Sequence, residues 1–163
     1  MERGSRLEGD AIDRFAKETG KEVDKGLILW ARDDNESIAV SPDGVVSETE
    51  AVEAKCLSSA RHIEAYCKKF MDGLGNFESI PDEYQPQAVQ YFIVNDKLET
   101  LHFIFYDPRF AMFRDPEAQK GTALDYFEIT LTRPEVQPKV EEFLVFERKV
   151  IEEVNAVVNK LTF

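Results

Sequence analysis

Asp43, Glu53 and Lys55 are the residues of this 163-residue chain whose types and spacing best suit a chemical task. Asp43 stands in Ser41-Pro42-Asp43-Gly44, a strong turn, and Glu53-Ala54-Lys55 begins ten residues later. On a strand, residues i and i+2 share a face. Glu53 and Lys55 therefore stand together, while Val52, Ala54 and Cys56 turn the other way, toward a core. Asp43 closes the neighbouring strand and can reach the same end of a sheet. Two carboxylates with the Ala54 carbonyl between them make an all-oxygen set suited to Mg²⁺ or Mn²⁺. An adjacent lysine can orient an attacking water and stabilise charge growing on a phosphate. A third feature is the helix opened by Pro81, which carries Tyr84 and Gln87. The plain alternative is a solvated strand whose Glu53–Lys55 ion pair contributes ~0–1 kcal/mol.

The elements that must hold these residues follow from periodicity. Leu7, Ala11 and Phe15, with Ile12, predict an amphipathic helix over 6–19, stopped by Gly20. Val23 to Ala31 reads as a strand, Ser37 to Val40 as a second, and Val45-Val46 with Ala51 to Cys56 as a third. Ser58 to Met71 has helical spacing through Ala60, Ile63, Tyr66 and Phe70, and Gly73, Gly75 and Asn76 end it. The next helix runs from Pro81 to about Val94, with the proline in the first turn, where its missing N–H costs nothing. Leu101 to Tyr106 and Tyr126 to Leu131 read as strands. Val136 to Leu161 is a long amphipathic helix whose expected buried stripe includes Val140, Phe143, Leu144, Val150, Ile151, Val154, Val157 and Leu161. The order α-βββ-α-α-β-β-α predicts a mixed α/β sandwich around a central sheet, in a single domain spanning 1–163.

Composition narrows the function classes. Hydrophobic residues make up 43% and charged residues 32%, the balance of a chain that folds around one core. No apolar run approaches the roughly 20 residues needed to span a bilayer, and no secretory signal pattern opens the chain. Two cysteines, Cys56 and Cys67, exclude a Cys₄ zinc or iron–sulfur site and point to a reducing compartment. A net charge of −12 argues against holding nucleic acid by a basic surface. It does not exclude DNA met through a metal-loaded acidic pocket, because bound divalent ions invert the local sign.

Ser41-Pro42-Asp43-Gly44, Glu53-Ala54-Lys55-Cys56, His62, Pro81-x-x-Tyr84-x-x-Gln87 and Tyr106-Asp107-Pro108-Arg109 together resemble the phage lambda exonuclease and YqaJ-type viral recombinase family, within the PD-(D/E)xK nuclease superfamily. The resemblance runs from about Gly4 to Tyr126. It implies a restriction-endonuclease-like mixed sheet flanked by helices. It also implies a Mg²⁺-dependent exonuclease, with Mn²⁺ as a substitute and two ions at the site, that digests duplex DNA 5′ to 3′. Asp43 and Glu53 then resemble the family's metal-ligating carboxylates, with the Ala54 carbonyl beside them, and Lys55 the catalytic lysine. Gln87 resembles the glutamine that helps hold the attacking water. Ser41 resembles the serine at the 5′-phosphate, and Tyr84 joins the substrate-binding set. Asp33, after Arg32, resembles an aspartate that joins a second metal site, and Glu8 an acidic residue of the first helix facing the same pocket. The implied partners are duplex DNA with free ends, a single-strand annealing protein and further copies of the chain in a ring of three. The implied location is the cytoplasm of a bacterial host.

The sequence departs from the family at Val89, where many relatives carry a second glutamine, and at Leu57, where proline is usual. Relatives also carry a helical segment ahead of the first motif helix, for which Met1 to Ser5 offers no counterpart. Each site residue has a plainer reading: Gln87 as a helix-surface amide, Asp33 as a turn cap, Glu8 as a helix-face ion pair, His62 as a packing residue, Cys56 as a small buried hydrophobe and Arg109 as a brace within a turn. Two other functions fit parts of the pattern. An endonuclease or junction resolvase shares the same core, and a non-catalytic acidic module, a DNA mimic or protein partner, fits the charge.

Overall fold

The computed structural model describes residues 2–113, 117, 119, 120 and 122–161, with side chains from Leu7 onward. Helix α1 (Glu2–Thr19) leads to a two-stranded hairpin of β1 (Trp30–Arg32) and β2 (Asn35–Val40), which forms its own small sheet. The main sheet is built from β3 (Gly44–Ser47), β4 (Glu50–Lys55), β5 (Thr100–Tyr106), β6 (Thr122–Ala123) and β7 (Tyr126–Thr132), in the order β3-β4-β5-β7-β6. Among the described strands only β4 and β5 run parallel. A parallel pair needs a long crossover, and α2 (Ser59–Phe70), α3 (Asn76–Ser79) and α4 (Gln85–Val94) supply it. Helix α5 (Arg133–Leu161) closes the chain. The fold is mixed α/β, as the element order predicts.

The two faces of the sheet are covered by different helices. Ala51, Phe103, Phe105, Phe127, Ile129 and Leu131 pack with α4 and the start of α5. Val52, Ala54, Ile104 and Tyr126 pack with Ala11, Ile12 and Phe15 of α1. Burial on both faces explains why Leu101 to Tyr106 is apolar almost without interruption. It also changes the surroundings of Glu53. The strand that carries it has no wet face, and Glu53 is only 3% exposed.

Several expectations need correction. In the segment from Val23 to Ala31 only Trp30 and Ala31 are strand, at the start of β1. The rest holds one bridge, Asp24 to Val45, and then leaves the sheet. The Asp24 carboxylate accepts the Gly26 N–H at 2.8 Å, a local turn that competes with ladder pairing. Leu27 and Leu29 are consequently exposed. The expected third strand is a hairpin of two, β3 and β4. Helix α4 begins at Gln85, after a short 3-10 turn over Asp82–Tyr84, and α3 has no counterpart among the predicted elements. In α5 only Val136 and Val140 are buried, while Val150, Val154, Val157 and Leu161 face solvent because the helix outruns the sheet it packs on. No helix among the described residues is long and apolar enough to cross a membrane.

Candidate active site

The centre forms where β3 stops pairing with β4. The register matches Gly44 to Val52, so the last residues of β4 extend beyond the hairpin partner. Asp43, immediately before β3, fills the gap: its Oδ2 accepts the Ala54 N–H at 2.8 Å. This pins the Asp43 carboxylate to the strand end that carries Glu53 and Lys55.

Glu53 is held from three directions. Lys55 Nζ donates to its Oε1 at 2.6 Å, and the Gln87 amide donates to the same oxygen at 2.8 Å. The Tyr91 hydroxyl sits between Glu53 Oε2 and the Ser41 carbonyl oxygen, 2.9 Å from the latter, and its single proton can serve either acceptor. Lys55 Nζ also donates to Gln87 Oε1 at 2.9 Å. The ammonium lies 4.7 Å from the centroid of the Tyr84 ring and 5.6 Å from that of Phe103, both within cation–π reach. Lys55 thus has a fixed position and orientation.

The field at the site is strongly negative. Burial, then the Glu53 charge, push the Asp43 carboxyl up to about 6; Glu8 adds to the rise, and the Ala54 N–H and Lys55 oppose it. Burial, then Glu8 and Asp43, push the Cys56 thiol up to about 12. Burial and Glu53 likewise raise the Tyr91 phenol. Carboxylates gathered at one strand end, with the Asp43 carboxyl raised by its burial and by the Glu53 charge, fit a hard divalent cation by the chemistry of their donors. Among the described residues, no three His, Cys, Asp or Glu side chains form a ready-made metal cluster. The Glu53 oxygens are instead occupied by Lys55, Gln87 and Tyr91.

The structure brings Asp43, Glu53, Ala54, Lys55, Tyr84 and Gln87 together, with Glu8 close enough to act on Asp43. Ser41 borders them through its backbone, while its hydroxyl donates to the Ile28 carbonyl at 2.7 Å. Asp33 does not join. It lies exposed in the tight turn between β1 and β2, a hairpin separate from the main sheet. There it helps line a groove of about 780 Å³ with Trp30, Arg32, Lys97, Leu144 and Arg148. His62 is buried, its Nε2 2.8 Å from the Leu124 carbonyl and its ring stacked on Phe110. Arg109 grips Asp107 through Nε and a terminal nitrogen, both at 2.7 Å, a brace within the turn.

Sequence reasoning missed Tyr91, although it follows Gln87 by four residues and so by one helical turn. It also missed His102. On the opposite face of the sheet that ring is buried between two carboxylates, with Nδ1 2.6 Å from Glu128 and Nε2 against Glu50.

A family model described as the YqaJ-like viral recombinase domain matches residues 1–98, more than half of the chain. The chain belongs to this family. The match contains Asp43, Glu53, Lys55, Tyr84, Gln87 and Tyr91, every residue that the geometry draws around Glu53. Among solved structures, the alkaline exonuclease LHK-Exo from Laribacter hongkongensis shares the fold. Its complex with dAMP superposes with a TM-score of 0.63 at 25% identity, covering 99% of this chain and 75% of that one. A second structure of the same enzyme gives a TM-score of 0.60 at 23% identity, with the same coverage. No curated protein matches the chain in sequence.

Proposed function

We propose that the protein is a divalent-metal-dependent exonuclease that digests one strand of linear duplex DNA from its 5′ end, releases mononucleotides and leaves a 3′ single strand. The observation that carries this reading is the Asp43–Glu53–Lys55 centre, with Gln87 and Tyr84 closed over it, in a recombinase-family chain with the fold of an alkaline exonuclease. A neighbour determined with dAMP supports a mononucleotide product.

Asp43, Glu53 and the Ala54 carbonyl would hold the cation, and Mg²⁺ or Mn²⁺ suits their oxygens. When bound, it supplies Lewis acidity toward the phosphate and lowers the pKa of a water. The chain's own residues do the rest. Lys55, once released from Glu53 Oε1, carries its charge to the phosphoryl oxygens. Gln87, with an amide oxygen and an amide nitrogen already directed into the centre, positions the nucleophilic water. Tyr84 forms one wall against the substrate, and Ser41 lies where the terminal 5′-phosphate would seat. The reading rests on one ion, because Asp33 lies apart from the centre. A ring of three copies and an annealing protein that takes up the 3′ strand complete the proposal on the resemblance.

The test is digestion of a linear duplex with one strand labelled at a time, its ends bearing 5′-phosphate or 5′-hydroxyl, beside a covalently closed circle. The reading expects Mg²⁺-dependent nucleotide release from 5′ ends, a preference for phosphate that shrinks in Ser41→Ala, an intact circle, and little turnover in Ca²⁺. Release from 3′ ends would overturn the polarity. Cutting of the circle would move the protein to the internally nicking branch.

A further inference from the structure

Helix α5 changes its surroundings half-way along its length. From Val136 its apolar positions follow a 4-3-4-3 spacing: Val136, Val140, Phe143, then Glu147 at the next step, then Val150, Val154, Val157 and Leu161. This is a heptad seam. Its first half is spent on the molecule's own core, where Val136 and Val140 are buried. Glu147 breaks it and pairs with Arg32 of the β1 strand. Beyond that point the same seam continues into solvent. Val150 is 40% exposed, Val154 54%, Val157 57% and Leu161 68%, and every residue from 152 to 161 is exposed. A helical end of this length whose apolar seam faces water is marginal.

The pattern on this end is complementary to itself. In an antiparallel pair of two such ends, Val150 meets Leu161 of the second copy and Val154 meets Val157. The two-fold axis repeats both contacts, which gives four layers and leaves no seam residue without an apolar partner. The positions flanking the seam agree. Glu153 and Lys160 occupy equivalent flanking sites one heptad apart, and antiparallel pairing sets Glu153 beside Lys160 of the second copy, twice. Neither forms an ion pair with a described residue of its own chain. A parallel pair would instead face Glu153 with apolar side chains and crowd two bodies of charge −12 on one side. Antiparallel pairing places those bodies at opposite ends of a rod of about 16 Å, the eleven steps from Val150 to Leu161 at roughly 1.5 Å each.

We propose that the projecting end of α5, from Val150 to Leu161, is a self-association surface that joins two copies of this chain in antiparallel, two-fold fashion. The contact is independent of the nuclease reading, and because it closes with two copies it differs from a ring. Four layers bury less surface than a standard interface, so pairing depends on concentration.

The test is molar mass by light scattering or sedimentation over a concentration series, on the whole chain. The wild type should gain mass twofold as concentration rises. Val154→Glu, which places like charges across the seam, should abolish that gain and leave far-UV circular dichroism and nuclease rate unchanged. Glu153→Lys alone and Lys160→Glu alone should each weaken pairing, and the double exchange should restore it. A mass that does not change with concentration, a doubling that survives Val154→Glu, or single exchanges without rescue in the double variant would each overturn the proposal. So would a threefold mass with no α5-dependent step.

Discussion

Asp43 is an acid held against its preference for charge, and this gives a pH signature. Its folded pKa of about 6 lies above the ordinary 3.8. Between pH 4 and 6 the native state keeps a proton that the unfolded chain has lost. Stability therefore falls as pH rises through that window, and the penalty is complete above pH 6. With solvent screening at a half-buried carboxylate, roughly 1 kcal/mol is at stake, about 3 °C in Tm for a chain of this size. Asp43→Asn keeps an acceptor for the Ala54 N–H. It should melt about that much higher at pH 7.5 without metal and lose the slope between pH 4 and 6. Mg²⁺ should raise the Tm of the wild type and not that of the variant. Lys55→Ala separates binding from chemistry: Mg²⁺ affinity should stay within a few-fold while single-turnover hydrolysis drops ~10²–10³-fold. A wild-type rate would leave Lys55 as a counter-ion of Glu53 only. Asp43, Glu53 and Lys55 were legible in the sequence because a turn and a period-two strand are local signals. Tyr91 was not, because a tyrosine in a run of apolar helix residues reads as core until Glu53 is seen beside it. Asp33 was misplaced for the converse reason: its position depends on a hairpin that the sequence presents as part of a longer strand.

Helix α4 presents Gln87 and Tyr91 to Glu53, so whatever fixes α4 fixes the site. Arg133, the first residue of α5, donates to the Leu98 and Asn95 carbonyls at 2.7 Å and to the Phe92 carbonyl at 3.2 Å. Its guanidinium also lies 5.4 Å from the Phe92 ring. A cation on the last carbonyls of a helix satisfies acceptors that have no partner within the helix and opposes the macrodipole. Arg133→Ala should cost roughly 2–3 kcal/mol in denaturant unfolding. It should also lower the hydrolysis rate with metal affinity nearly unchanged, because Gln87 loses its support while the carboxylates keep theirs. An equal loss in Arg133→Lys would show that the forked donor geometry matters beyond the charge. Strands β5 and β7 were readable because a strand buried on both faces is continuously apolar and one with a less buried face alternates. The stretch from Val23 to Leu29 was not, since β-branched and apolar residues there suggest a strand while the Asp24–Gly26 turn removes it. The stripe of α5 was read correctly as a pattern and wrongly as burial: periodicity shows that a face seeks cover, not what covers it.

At the scale of the molecule, a chain of net charge −12 must bring a polyanion to a centre that is itself negative. Without a cation, the Asp43, Glu53 and Glu8 carboxylates would repel phosphate; on the proposed metal-dependent reading, a bound cation would reverse that local sign. Divalent metal should therefore act on DNA binding as well as on turnover. DNA affinity in EDTA should be weaker than in Ca²⁺, which substitutes in binding while supporting little chemistry. The sequence revealed the charge and the two motifs separately. Their joining depends on the parallel β4–β5 pair and the crossover that carries α4 back over Glu53, a long-range arrangement that no local period encodes. The decisive measurement is the rate of nucleotide release from a 5′-phosphorylated linear duplex, taken for the wild type in Mg²⁺, for the wild type in EDTA, and for Glu53→Ala in Mg²⁺. The expected result is steady release in the first case and none above background in the other two. Release in EDTA, or undiminished release by Glu53→Ala, would contradict a metal-dependent centre built on Asp43, Glu53 and Lys55.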